Sequence, residues 1–357
     1  MNTLAPSYPD ARGRFLASAD AAGARRSAAV HPERGLDGEE LAIDVAELGP
    51  DDAGAAFVVV SGTHGVEGYT GSALQSHWLE EHAADRPHDV KVVLVHGLNP
   101  YGFSWVRRVN EDNVDLNRNF VDWSRPAPVN ERYSGVASLL VPEQWDATTQ
   151  EATTLRLLEE AGRVGVDEFQ AIVSRGQYVH PTGVFYGGTG PAWSHRWVAT
   201  ELSGFVPLGA RVGLVDLHTG LGPSGHGELI VHEDPGTGPY ERAASWWGDV
   251  RSMSSGESVS AALSGDWLGV VHDLLPGREV TAAALEFGTV DTVSVLQALR
   301  ADAWLHAHGD PLGEEAAAIR SQVRAAFADE QSAGWVRAVT ARFDEVVVGA
   351  LARLVGA

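Results

Sequence analysis

Short apolar runs closed by glycine punctuate the first hundred residues. AAFVVVSG at 55–62 and VKVVLVHG at 90–97 are rich in β-branched residues and lack polar alternation, the pattern of strands buried on both faces. Between them, GSALQSHWLEEHAAD is amphipathic and helix-length, so the segment predicts a strand–loop–helix–strand unit. ELAIDVAEL at 40–48 alternates well enough for an edge strand. Upstream, 8–35 reads as a helix over ARGRFLASADAAGARR followed by a loop containing HPERG. After NPYG the chain from 104 to 135 is polar and rich in Arg, Asn, Asp and Pro, which predicts a long loop, and long loops in compact domains usually carry function.

Helical patterns occupy about 146–176, and a Gly/Pro/aromatic loop, GQYVHPTGVFYGGTGPAWS, leads into a helix ending near 204. ARVGLVDLHTG, GELIVHE and TAAALEFGT (281–289) read as further strands, and the last third is otherwise helical. No repeat, low-complexity linker or break forces a second domain. The expectation is one α/β domain over 1–357, with a central mixed, mostly parallel sheet, helices on both faces and a helical C-terminal segment from about 311 to 357.

Composition narrows the class of function. Of 357 residues, 44% are hydrophobic and 21% charged, an ordinary globular balance. A formal net charge of −22 argues against nucleic acid or an anionic membrane as partner, since both require basic patches. No apolar stretch approaches the roughly 20 residues that span a bilayer, and MNTLAPSYPDARGRFL lacks the pattern of a signal peptide. The absence of cysteine removes disulfides, a thiol nucleophile and Cys-ligated metal. A cytoplasmic enzyme is the expectation.

Candidate chemistry sits at strand ends. HGVEG at 64–68 places His64 and Glu67 three residues apart after an apolar run, and VDLHTG at 215–220 places His218 after another. Two imidazoles and a carboxylate form the ligand set of a catalytic zinc with one position open for water. HxxE alone is weak: His77 and Glu80 repeat it inside an amphipathic helix, where a solvated face explains it. His218 followed by TGLG reads as part of a strand-end loop. His96, His180, His226, His232, His272, His306 and His308 read as structural or exposed, with His180 and His226 in loops able to border a pocket. Glu286 stands in an apolar run, AAALEF, where an ionisable group is costly to bury unless paired or functional. No GxSxG elbow, P-loop or dinucleotide fingerprint occurs.

Taken together, HGVEG, NPYGFSWVRRVNEDNVDLNRNF, VDLHTG and ALEFGT resemble the M14 zinc metallocarboxypeptidase superfamily, which includes the aspartoacylase and succinylglutamate desuccinylase branch. Within it, GTHGVEGYTGSALQ and GQYVHPTGVFYGGTGPAWS look like the DUF2817 family. The resemblance implies one Zn2+ per chain on His64, Glu67 and His218, and Glu286 as general base. It implies that Asn117 and Arg118 grip a substrate carboxylate and that Asp115 orients His64. An upstream arginine would polarise the scissile carbonyl; Arg107 and Arg108 are adjacent, and Arg108 is preferred. An assisting tyrosine has no matching motif, leaving Tyr178, Tyr186 and Tyr240 as candidates. Arg118 with Asn117 suits bidentate recognition of a planar carboxylate, and a metal-bound imidazole usually donates its second N–H to a carboxylate, as Asp115 would accept. The aromatic residues of the GQYVHPTGVFYGG loop serve equally as a pocket wall or as ordinary packing.

The implied activity is zinc-dependent hydrolysis of an amide bond next to a free carboxylate, by a metallocarboxypeptidase or an N-acyl-amino-acid deacylase. The substrate would be a small molecule or short peptide with a free carboxylate; neither nucleic acid nor membrane is expected, and oligomeric state stays open. The alternative is a non-catalytic relative that binds a metal or a carboxylate, which would have no need of Glu286.

Overall fold

The computed structural model describes residues 4–255, 258 and 263–355. An eight-stranded mixed sheet organises the domain: β1 (Arg25–Arg34), β2 (Glu40–Leu48), β3 (Ala55–Ser61), β4 (Val90–His96), β5 (Arg211–Ser224), β6 (Gly227–Val231), β7 (Val250–Ser252) and β8 (Glu279–Gly288), in the spatial order β1-β2-β4-β3-β5-β8-β6-β7. The central strands β4, β3, β5 and β8 run parallel, and β1 and β2 extend the sheet antiparallel on one side. On the other side β6 pairs antiparallel to β8 and parallel to β7.

The apolar runs of β3 and β4 are buried along their whole length, as expected of strands covered on both faces. Successive residues feed opposite cores: Phe57 and Val59 pack with the helices Tyr8–Ala21, Gly68–Glu81, Glu314–Phe327 and Ala333–Leu354, whereas Val58 and Val60 pack with Trp193–Phe205. The two cores lie on opposite sides of the sheet, which gives a three-layer α/β architecture.

Two local expectations differ from the structure. The segment read as a loop around HPERG is strand β1, and it, rather than β2, forms the edge of the sheet. Along β1 only His31 is buried, so an exposed, Arg-rich edge carries no apolar alternation to read. His218 does not lie in a strand-end loop: β5 continues to Ser224, with a register shift between Thr219 and Ser224 where it leaves β8.

Candidate functional site

The site begins with the backbone after β3. Gly62 takes φ +71, a left-handed conformation that glycine adopts freely. A Cβ on Gly65 would lie 2.0 Å from the Gly102 carbonyl carbon, so glycine alone allows these two segments to meet. Gly65 N and Val66 N then donate to Arg108 O and Arg107 O at 3.1 and 2.8 Å. The His64–Glu67 turn is thereby stitched to the long loop of the sequence reading, which brings Arg108 and Asp115 against it.

His218 enters from β5 across the sheet. His64 Nδ1 lies 2.9 Å from Glu67 Oε1, His218 Nδ1 lies 2.9 Å from Glu67 Oε2, and the two Nδ1 atoms are 3.2 Å apart. Each outer nitrogen faces a carboxylate: His64 Nε2 is 3.1 Å from Asp115 Oδ1, and His218 Nε2 is 2.7 Å from Asp216 Oδ2. Asp216 is in turn held by Thr63 Oγ1 at 2.8 Å and Trp267 Nε1 at 2.7 Å. Both imidazoles and all three carboxylates are buried.

This donor set suits a cation. With Nε2–H donated to Asp115 and Asp216, both Nδ1 lone pairs face the Glu67 carboxylate, which also accepts from Arg108 Nη1 at 3.0 Å and from the Thr219 N–H at 3.1 Å. The three ligand atoms lie within 4.8 Å of one another. Burial pushes the Glu67 carboxyl up, but His64 and His218 together outweigh it and hold it well below the usual carboxylate range. Burial likewise opposes charge on His218, yet Asp216 and Glu67 drive its pKa well above 6.5. The pocket thus draws positive charge, which a dication would satisfy with the N/O ligand chemistry that zinc accepts.

Glu286 is the register partner of His218 on the neighbouring parallel strand β8, so both side chains project from the same face. Its Oε1 accepts the Leu221 N–H at 3.0 Å. Burial first, then the charge of Glu67, push its carboxyl up to about 7, against the pull of His218, the Leu221 N–H and Arg108. Arg108 bridges Glu67 and Asp115 through Nη1 and Nε, each at 3.0 Å. Asp115 is held far below its ordinary pKa: burial opposes ionisation, and Arg108, Arg118 and His64 overcome it. Arg107 turns away to a buried pair with Asp302 at 3.0 Å.

A cavity of about 390 Å³ opens over these groups and is lined by His64, His218, Glu286, Arg108, Asn117 and Arg118. Arg118 is fixed by donating Nε to Ser174 O at 2.8 Å and Nη1 to Asn117 O at 2.9 Å, and its guanidinium lies over Phe185 at 5.3 Å. The buried Asn117 Oδ1 has no hydrogen-bond partner. Phe185, from the aromatic loop, lines the cavity. Tyr178, Tyr186 and Tyr240 do not line it, nor do His180 and His226. The Tyr178 hydroxyl is occupied by Arg118 O at 2.6 Å.

Two lining or supporting groups escaped the sequence reading. Asp216 holds His218 from two residues upstream, a same-face spacing in a strand that VDLH contains. His232 lines the cavity 3.5 Å from Asp266, and nothing in its sequence surroundings marks it. The repeated HxxE is structural: His77 pairs with Asp344 at 3.2 Å and Glu80 with Arg14 at 2.7 Å.

The architecture is similar to that of bovine thrombin-activatable fibrinolysis inhibitor in complex with tick carboxypeptidase inhibitor, at a TM-score of 0.51 and 11% identity, covering 99% of this chain and 98% of that one. An aspartoacylase family protein from Mesorhizobium loti aligns at a TM-score of 0.39 and 15% identity, over 74% of this chain and 61% of that one. A succinylglutamate desuccinylase from Silicibacter aligns at 0.40 and 12% identity, over 85% and 65%. No curated protein sequence matches the chain. The family model described as "Protein of unknown function (DUF2817)" matches residues 4–342, and the chain therefore belongs to the DUF2817 family.

Proposed function

We propose that this protein is a zinc-dependent hydrolase of an amide bond adjacent to a free carboxylate, acting on an N-acyl amino acid or a short peptide. The observation that carries the reading is the meeting of two chemistries in one cavity: a buried His–Glu–His acceptor set, and beside it a carboxyl poised near neutrality. Likeness of fold to a protein captured with a carboxypeptidase inhibitor agrees with it.

His64, Glu67 and His218 would hold the zinc, which when bound polarises a carbonyl and lowers the pKa of water to about 7. Glu286, with a pKa of about 7, can accept a proton from water and return it to a leaving nitrogen at neutral pH. Arg108 reaches the cavity with its charge fixed by Glu67 and Asp115, so it is preorganised to stabilise an oxyanion as negative charge develops. Arg118, whose Nε and both terminal nitrogens already bond to backbone carbonyls, retains one N–H on each terminal nitrogen for a carboxylate, from the five donors of a guanidinium. Asn117 offers its amide alongside.

The test combines elemental analysis with turnover. Wild-type protein should carry about one zinc per chain and hydrolyse N-acyl amino acids or short peptides; His218→Ala should lose the metal. Glu286→Gln should keep the metal and lose turnover by about a thousandfold, in the range expected for a general base. A non-catalytic metal- or carboxylate-binding relative would hold zinc and leave every such substrate intact. Failure of wild-type protein to bind zinc even after reconstitution would overturn the metal assignment.

A further inference from the structure

The lining of the cavity is charged only outside its helical wall. Its charged lining residues are Arg108, Arg118, Glu286 and Asp266, the last paired with His232. The remainder of the wall comes largely from the helices Ala147–Val164, Val166–Ser174 and Thr292–Ala307, through residues such as Leu157, Leu158, Phe169, Val173, Val293 and Leu296, and these three helices place no charged side chain in the lining. Two polar groups on that wall bond to each other: Gln297 Nε2 donates to Thr154 Oγ1 at 2.8 Å, and Arg300 holds both from behind. In a chain of net charge −22, an uncharged wall of this kind is a strong local departure.

The apolar surface also continues past the cavity. Leu158, Val166 and Val293 line it and are nevertheless 53%, 71% and 52% exposed. Three large hydrophobic side chains left in water around one opening mark a surface that an apolar ligand covers. An acidic acyl group, or an acidic side chain, would find no cation on this wall. A long hydrocarbon chain can cover both the helical wall and these three exposed side chains.

We propose that the substrate is an N-acyl amino acid whose acyl group is a long, unbranched hydrocarbon chain, lying along the helical wall and out over Leu158, Val166 and Val293, with its amide at the His–Glu–His centre. This rests on the amide-hydrolase reading above, and the experiment separates the two. Binding of N-acetyl-, N-hexanoyl- and N-decanoylglycine to Glu286→Gln protein is measured by titration calorimetry, and hydrolysis of the same series by the wild type is followed in parallel, with a dipeptide ending in Phe as comparison.

Each buried methylene strengthens binding about three- to fourfold, so affinity should rise at least a hundredfold from the acetyl to the decanoyl compound, even with the outer part of the chain only half covered. Leu158→Glu and Val293→Glu, both at exposed positions that tolerate charge, should compress that ratio at least tenfold. A flat series overturns the proposal, as does tighter binding of the dipeptide than of any acylglycine. Steeply chain-dependent binding without hydrolysis by the zinc-loaded wild type would keep the acyl-chain site and overturn the hydrolase reading, and with it the compound's role as substrate.

Discussion

Asp216 carries more of the site than its position in the sequence suggests. It accepts from Thr63, Trp267 and His218 at once, and the tryptophan and threonine fix the carboxylate so that it fixes the imidazole. An N–H directed to Asp216 leaves the Nδ1 lone pair of His218 facing His64 and Glu67. Asp216→Asn substitutes an amide that can present its NH2 to Nε2, favouring the wrong tautomer. Zinc affinity should fall about 10- to 100-fold, the usual effect of losing such a partner. Competition with a chromophoric chelator measures it, with circular dichroism to establish that the fold is retained; unchanged affinity would remove Asp216 from the site. The spacing of Asp216 and His218 was available in VDLH, but it becomes informative only once β5 is known to run through the histidine. Asp115 was legible only through the family resemblance, because 51 residues and a loop separate it from His64. Arg107 and Arg108 could not be separated from sequence, since the choice depends on Asp302, which waits 195 residues away as the partner of Arg107.

At the scale of elements, strands buried along their whole length announced themselves and the exposed edge strand did not. β3 and β4 were readable because both faces are covered, whereas β1 pairs through its backbone while its side chains face solvent. The pairing of His218 with Glu286 was equally invisible, because register between parallel strands is set by the tertiary fold and not by either segment. The end of β4 supplies a test of how tightly the sheet and helices close. His96 is fully buried, stacked on Phe15 at 4.3 Å between ring centroids and bonded to Ser72 Oγ at 2.8 Å. Burial, and secondarily the nearby charge of Arg12, lower its pKa from 6.5 to about 3. The folded chain therefore keeps His96 neutral where the unfolded chain protonates it. Its contribution to stability is intact above pH 6.5 and is lost as pH falls from there toward about 3, at about 1.4 kcal/mol per pH unit. Urea unfolding at pH 7.5, 6 and 5 should show His96→Gln losing less stability with acidification than the wild type, by close to one proton's slope. Equal slopes would mean that His96 is protonated in the fold.

For the whole molecule, the question is whether the candidate centre is coupled to the stability of the domain. Its candidate ligands come from segments far apart in the chain: His64 and Glu67 follow β3 and His218 stands on β5, while Asp115, which holds His64, lies in the long loop. An ion on these groups would bind the folded chain and not the unfolded one, so free zinc at a hundred times its dissociation constant should add about 2.7 kcal/mol. Unfolding entropy scales with length, and for 357 residues that increment corresponds to a rise of only about 3–4 °C in Tm. The net charge of −22 introduces a competing effect, because any added cation screens self-repulsion. Magnesium at matched ionic strength separates the two: it screens as well as zinc does but prefers a shell of oxygens to two imidazoles. Calorimetric scans of chelator-treated protein should show the full rise with zinc, a smaller one with magnesium, and no difference between the metals in His218→Ala. Equal rises with both metals in the wild type would reduce the effect to surface charge, leaving the buried acceptors of His64, Glu67 and His218 without a cation to explain them.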